Sequence, residues 1–239
     1  MKRILLLSLF LAVGIQYSLD GQTECHELSS DDREKQATLL ALSLQKGVLA
    51  VRLTSSRRKL EKMIQLIESD KVAESNKNEL KEEIEKVAES RDRKAHTLMN
   101  AFKKNYFFSE VVFFWDKDQK FVNNPEKTIW LNEELQYSNK NVDTDKIAAF
   151  LVDGLTKETS IAAFLMKDAE MNEVCAPFPQ YFKKNRLWDT FSSNEESLIK
   201  SASKMSIEMN TKLDALIVPK SKKVKGSFFQ RIGDWFRSL

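Results

Sequence analysis

Residues 106–121, read as Y-F-F-S-E-V-V-F-F-W-D-K-D-Q-K-F, restrict the folds open to this chain more than any other stretch. Phe107, Phe108, Val111, Val112, Phe113, Phe114 and Trp115 crowd it. Aromatic and β-branched side chains fit a pleated, buried surface and lose rotamer freedom in a helix. An unbroken apolar run closed by the polar Asp116-Lys117-Asp118-Gln119 predicts a strand buried on both faces. Charged, helix-like sequence precedes it and shorter strand-like pieces follow. It is therefore expected to be the first and central strand of a single compact core.

Upstream, Ser29-Ser30-Asp31-Asp32 offers an N-cap followed by acidic residues that suit the first turn of a helix. Leu42, Leu49, Leu53, Leu60, Met63 and Ile67 then recur at spacings close to three and four, with Lys46 and Ser56 where the pattern lapses. Ser69-Asp70 and Ser75-Asn76 suit a turn. A second helix carries Leu80, Ile84, Val87, Leu98 and Phe102, and a charged face of Lys81, Glu82, Glu83, Glu85 and Lys86. Two such helices predict an antiparallel hairpin with a coiled-coil seam. It either packs on the sheet or protrudes as an arm, and a single continuous helix is the third reading. A helix of that length spans about 50 Å, more than a small sheet covers.

Downstream, Asn123-Asn124-Pro125 breaks the chain and Thr128-Ile129-Trp130-Leu131 is a short strand or one helical turn. Ile147-Ala148-Ala149-Phe150-Leu151 recurs as Ile161-Ala162-Ala163-Phe164-Leu165 across the turn-forming Asp153-Gly154 and Thr156-Lys157-Glu158-Thr159. The two runs predict antiparallel strands of one hairpin, with two short helices as the rival. Ala176-Pro177-Phe178-Pro179 must be extended. From Ser193, Ser-Asn-Glu-Glu opens a helix carrying Leu198, Ile199, Met205, Met209, Leu213 and Leu216 to about Val218, ended by Pro219. The expected fold class is α+β: a long antiparallel helical hairpin followed by a small, mostly antiparallel sheet packed with helices.

The order F-F-S-E-V-V-F-F-W-D-K-D, then the hairpin, then M-K-D-A-E-M-N-E-V-C-A-P-F-P-Q-Y-F resembles uncharacterised exported proteins of Bacteroidota over residues 106–184, with a departure around Cys175. The resemblance implies an envelope location and a small α+β domain, and brings no activity with it.

The amino terminus agrees with export. Met1-Lys2-Arg3 is a short positive start, residues 4–15 are almost wholly apolar, and Ser18-Leu19-Asp20-Gly21-Gln22 is polar, the layout of a secretory signal peptide. The apolar run is short of the ~20 residues a spanning helix needs. Cleavage after Gly21 is expected, although Leu19 suits the site poorly; an uncleaved anchor is the alternative. The chain divides into a signal peptide (1–21), a helical extension (22–105), an α+β domain (106–218) and a basic amphipathic tail (219–239). The two cysteines, Cys25 and Cys175, either pair in an oxidising compartment or remain separate thiols. A disulfide would close a loop of roughly 150 residues, worth up to about 4 kcal/mol in the chain-entropy picture.

In the tail, Lys220, Lys222, Lys223 and Lys225 precede Gly226. Phe228, Phe229, Ile232, Trp235, Phe236 and Leu239 then share one helical face. Such a helix lies in a membrane interface, sits in a partner's groove, or folds back on its own core. The lysine run favours an intermolecular role with a protein partner or an anionic membrane surface.

Several chemistries lack their sequence signatures. With 31% charged residues but a net charge of +3, there is no global basic field, and no nucleic-acid partner is expected. Six glycines leave few places for backbone to close on a phosphate. His26 and His96 belong to no ligand motif, and no C-x-x-C, G-x-S-x-G or P-loop occurs, so no cofactor or metal site is expected. Asp116, Asp118 and Asp153 fall at strand ends, where turn roles are expected rather than catalysis. Two functions follow from different classes. One is an exported, non-catalytic envelope protein acting through its hairpin and tail; the other is a periplasmic hydrolase-like enzyme. A deep pocket at the ends of Phe113 and Phe150 lined by convergent acidic groups favours the enzyme; a filled core with an exposed apolar stripe on the hairpin favours the binder.

Overall fold

The computed structural model describes residue 25 and residues 27–69, 72–124, 126–139, 142–184 and 195–218. Ser30–Lys46 forms α1, capped by Ser29, whose Oγ accepts from the Asp32 N–H at 3.1 Å. The helix stops at Gly47, where a Cβ would lie 2.5 Å from the Lys146 carbonyl oxygen. Only glycine lets the chain pass this close and turn directly into β1, Val48–Leu53. The helices α2 (Arg57–Glu68) and α3 (Glu74–Asn105) follow, then β2 (Glu110–Trp115) and a 3-10 helix, Asp116–Phe121. A second 3-10 turn, Thr144–Lys146, leads into the hairpin of β3 (Ile147–Leu155) and β4 (Ala162–Asp168). The short β5 (Tyr181–Lys183) and the helix α4 (Glu195–Ile217) complete the described elements.

The class is α+β, with a mixed five-stranded sheet in the order β2-β1-β3-β4-β5. β1 lies parallel to both β2 and β3, whereas β3–β4 and β4–β5 pair antiparallel. The crossover from β1 to β2 runs through α2 and α3 over one face. The return from β2 to β3 runs through residues 116–146 over the other. Opposite directions on opposite faces are what a single crossover hand requires.

This corrects two expectations. The stretch around Leu49 and Leu53 is not part of a long helix but the middle strand of the parallel trio. Its six residues, V-L-A-V-R-L, are almost all buried from both sides, so they show no strand-like alternation, and Leu49 and Leu53 also satisfy helical spacing. The aromatic stretch does form a strand, but as an edge and only over 110–115; its polar end coils into the 3-10 helix. It is buried nevertheless because residues 129–131 cover that edge. The Leu131 N–H donates to the Phe113 carbonyl at 2.9 Å, and Phe114 bridges to Trp130.

Two apolar layers sandwich the sheet. On one face Leu49, Val51, Phe113 and Leu151 pack with α1, the carboxyl half of α3, and α4, which contribute Leu44, Phe102 and Met209 among others. On the other, Ala50, Val112, Phe114 and Phe150 pack with Val122, Ile129 and Trp130. Phe114 stands at its centre, edge-on to Trp130 at 5.9 Å and to Phe150 at 6.2 Å. The echoed sequences pair as expected: Phe150 lies opposite Lys167 and Leu151 opposite Met166 in an antiparallel ladder. Helices α3 and α4 are locked where α3 ends. The Asn210 amide donates to the Asn105 carbonyl at 2.5 Å and accepts from the Phe107 N–H at 3.1 Å, satisfying groups a helix end leaves open. Beside it, burial raises the Tyr106 phenol well above its usual value, with Asp214 adding to the shift and the Ser109 hydrogen bond opposing it.

Candidate functional site

The carboxyl ends of β1, β2 and β3 meet at one edge of the sheet, joined there by the chain leaving β5. Open sheets with parallel strands place ligands outside such ends, where neighbouring connections leave to opposite faces. Here β1 leads to the helical face and β2 to the other, and the gap between them is closed by the protein itself. The Asp116 carboxylate accepts the Ser55 N–H at 3.0 Å, and Ser55 Oγ accepts the Arg57 N–H at 3.3 Å. Ser56 takes a left-handed conformation, φ 54°, to turn the chain into α2. Arg52 reaches across this edge, donating to Gln119 Oε1 and, at 3.0 Å, to the Asp153 carbonyl. Burial pulls its guanidinium below the usual value, and Asp116 and Asp153 work against that shift.

Beside this plug a crevice of about 200 Å³ opens between α3 and the ends of β1 and β3. Among the described residues, Arg52, Arg91, Lys94 and Lys184 line it together with one carboxylate, Asp153. Both Asp153 oxygens accept from Lys184 Nζ, at 2.9 and 3.0 Å, and Oδ2 also accepts from Thr54 Oγ1 at 3.2 Å. The Lys184 side chain is only 6% exposed and lies 5.6 Å from the Phe164 ring centre, so its charge depends on Asp153 for compensation. Arg91 is oriented by Asp92, with Nε 2.7 Å from Oδ1, and its guanidinium stands 5.6 Å from the Trp115 ring centre. On the same wall Ser90 is 4% exposed, and its hydroxyl finds no hydrogen-bond partner among the described residues. Leaving such a group unpaired costs about 1–3 kcal/mol.

The strand-end pocket is therefore cationic rather than acidic, and the three strand-end carboxylates do not converge. Asp116 holds backbone, Asp153 holds Lys184, and Asp118 accepts from the Tyr137 hydroxyl at 2.7 Å. Burial and the Asp118 hydrogen bond raise the Tyr137 phenol above its usual value, and Lys117 partly offsets them. The sequence marked these carboxylates as turn residues. It did not reveal Arg52, Ser90, Arg91, Lys94 or Lys184 as neighbours, since they come from three separate segments.

The second candidate is the α2–α3 hairpin. Met63 is the single buried residue of α2, whose principal packing partner is α3. The seam is carried by half-buried Leu60 and Ile67 on α2 and Leu80 and Ile84 on α3, with Lys59 and Glu83 paired across it at 3.1 Å. Ile64 is 44% exposed and Leu66 48%. No residue of α3 before Val87 is buried, so its first thirteen residues extend roughly 20 Å beyond the packed part.

Cys25 and Cys175 are joined in a disulfide across a separation of 150 residues, which ties the segment before α1 to the loop before β5. Among the described residues no helix is long and apolar enough to cross a membrane. The expected signal peptide, and the tail residues Lys220, Lys222, Lys223, Lys225, Phe228, Phe229, Ile232, Trp235 and Phe236, lie outside the described residues. No protein-family model, curated protein or solved structure matches this chain.

Proposed function

We propose that this chain is an exported, non-catalytic envelope protein that binds a partner through the α2–α3 arm, with the basic amphipathic tail contributing contact to a protein or an anionic membrane surface. The observation that carries the reading is the arm itself: α2 packs chiefly on α3, the first thirteen residues of α3 bury none of their side chains, and Ile64 and Leu66 are left exposed. A hairpin whose sole role was to cover the sheet would bury its apolar residues there. The apolar leader and the Cys25–Cys175 disulfide support an oxidising, extracytoplasmic location. The hydrolase alternative draws no support from the crevice, whose one carboxylate is committed to Lys184 and Thr54.

A photo-crosslinking side chain at position 64 in the native cells tests the arm. A discrete adduct is expected there, absent with the probe at Lys146 and lost when Leu66→Glu is added. Equal labelling at both positions, or none at 64, rejects the arm as the binding element. Deleting residues 220–239 is expected to lower sedimentation with anionic vesicles, and unchanged sedimentation removes the tail from the proposal. Fractionation with thiol alkylation tests location: the chain should be recovered outside the cytoplasm with both cysteines protected, and cytosolic chain with reactive thiols contradicts export.

A further inference from the structure

We propose that the Leu66 side of the α2–α3 arm binds a second copy of this chain, with α2 of each copy laid against α3 of the other. The inference goes beyond the arm's role toward a foreign partner, because it concerns the side of α2 opposite Ile64. Leu60, Met63, Ile64, Leu66 and Ile67 spread over about 160° of the α2 circumference. That arc is wider than one neighbouring helix covers. Met63 is buried and Leu60 and Ile67 are half-buried along the α3 seam, while Leu66 stays 48% exposed. Residues two apart on a helix point nearly opposite ways, so Leu66 and Ile64 flank the seam on different sides.

Charge identifies what fits the Leu66 side. Lys59, Lys62 and Leu66 follow one another at spacings of three and four, and therefore share a stripe. Lys59 Nζ lies 3.1 Å from Glu83 Oε1. That pair marks the side of the seam on which Glu83, and Glu79 one turn before it, also stand. Lys62 and Glu79 are exposed, and neither has a partner among the described residues. Lys86, on the same side, is held by Glu82 at 3.7 Å. This side of the arm is thus basic and apolar on α2 and acidic on α3, which makes it complementary to itself under a two-fold axis. The two helices are antiparallel and Lys59 stands level with Glu83, so Lys62 falls within one residue of level with Glu79. An axis along the arms therefore sets Lys62 of each copy against Glu79 of the other and brings each Leu66 onto the other copy's α3. Laying α2 on α2 instead would oppose lysine to lysine, which like-charge repulsion disfavours.

The test is sedimentation equilibrium of the disulfide-bonded chain lacking the apolar leader. It runs from about 10 µM to about 1 mM, because one leucine and a few charges per copy make a small, weak interface. A reversible dimer is expected. Leu66→Glu should abolish it. Lys62→Glu or Glu79→Lys alone should weaken it at least about tenfold, since each sets like charges together at both contacts. Mixing the Lys62→Glu chain with the Glu79→Lys chain should restore association to near the parent's, because every contact then joins opposite charges. Lys81→Glu, on the other side of α3, should leave the dimer unchanged. All these positions are exposed, so the variants should melt with the parent. A chain that stays monomeric throughout, a dimer that survives Leu66→Glu, or a mixture that associates no better than either variant alone overturns the inference. A monomer whose probe at position 64 still gives a discrete adduct in cells rejects this contact and leaves the arm's other side as a binding surface. A dimer with no adduct at position 64 keeps this contact and rejects the foreign partner.

Discussion

The two halves of α3 are one helix in two environments. From Ala95 to Asn105 it is wedged between the sheet and α4, and seven of its nine buried residues lie there. Phe102 is fully buried, edge-on to Phe113 at 6.1 Å and tilted against Tyr106 at 5.3 Å. Over residues 74–86 the same helix has no buried residue, and its apolar positions Leu80 and Ile84 share a two-helix seam with α2. Apolar spacing is comparable in both halves, but what lies opposite differs: a sheet plus a third helix in one case, a short helix in the other. Burial depth is set by the partner layer, not by periodicity. The junction between the halves, Val87 to Lys94, is where the crevice opens, at the point where α3 leaves the sheet's carboxyl edge.

The contrast can be broken most forcefully at Phe102. Phe102→Ala is expected to destabilise the chain by about 3–5 kcal/mol in urea unfolding, the range for emptying a packed aromatic site. Removing the disulfide by Cys25→Ser with Cys175→Ser should cost about 2–4 kcal/mol by the same measurement, since the unfolded chain regains the freedom of a long loop. Asn210→Ala leaves the Asn105 carbonyl and the Phe107 N–H without their partner and should cost about 1–3 kcal/mol. Ile84→Ala, in the arm, is expected to cost about 1 kcal/mol or less. An Ile84 effect as large as that of Phe102 would show the arm to be part of the core. Amide exchange sharpens the same point: residues 74–86 should open more readily than residues 95–105.

The smallest expected effect concerns pH. Partial burial pushes the Glu173 carboxyl upward, but Lys157 at 2.9 Å and Lys167 at 3.4 Å outweigh it and hold the group below its usual value. A lowered folded-state value means that the stabilisation is present above the unfolded-state value and is lost as pH falls through the folded-state value. Glu173→Gln should therefore lower the melting temperature slightly near neutral pH, with the difference shrinking as pH falls through the folded-state value. A difference that grows on acidification contradicts the assignment.

Legibility followed the range of the forces involved. The β3–β4 hairpin was readable because two similar apolar runs flank turn residues, and α4 because its apolar face recurs at helical spacing. The long helix α3 was readable for the same reason. β1 was not: five apolar residues of its six satisfy more than one period, and the break is marked locally by Gly47 and the Ser55-Ser56 pair. Gly47 was the signal that could have found it, since a glycine at the end of a helical pattern commonly ends the helix. The Cys25–Cys175 pairing stayed open in the sequence because spacing does not bring two sulfur atoms together.

By itself the sequence determined which segments take helical or extended backbone wherever sterics and apolar spacing agree, and it supplied an apolar leader, two cysteines and a basic aromatic tail. Only the tertiary structure decided that β1 stands between β2 and β3, that the aromatic strand is an edge covered by residues 129–131, and that Ser90, Arg91, Lys94, Asp153 and Lys184 line one crevice. Those outcomes depend on closing long loops so that both sheet faces are covered at once, and that balance of burial against chain entropy is a property of the whole chain.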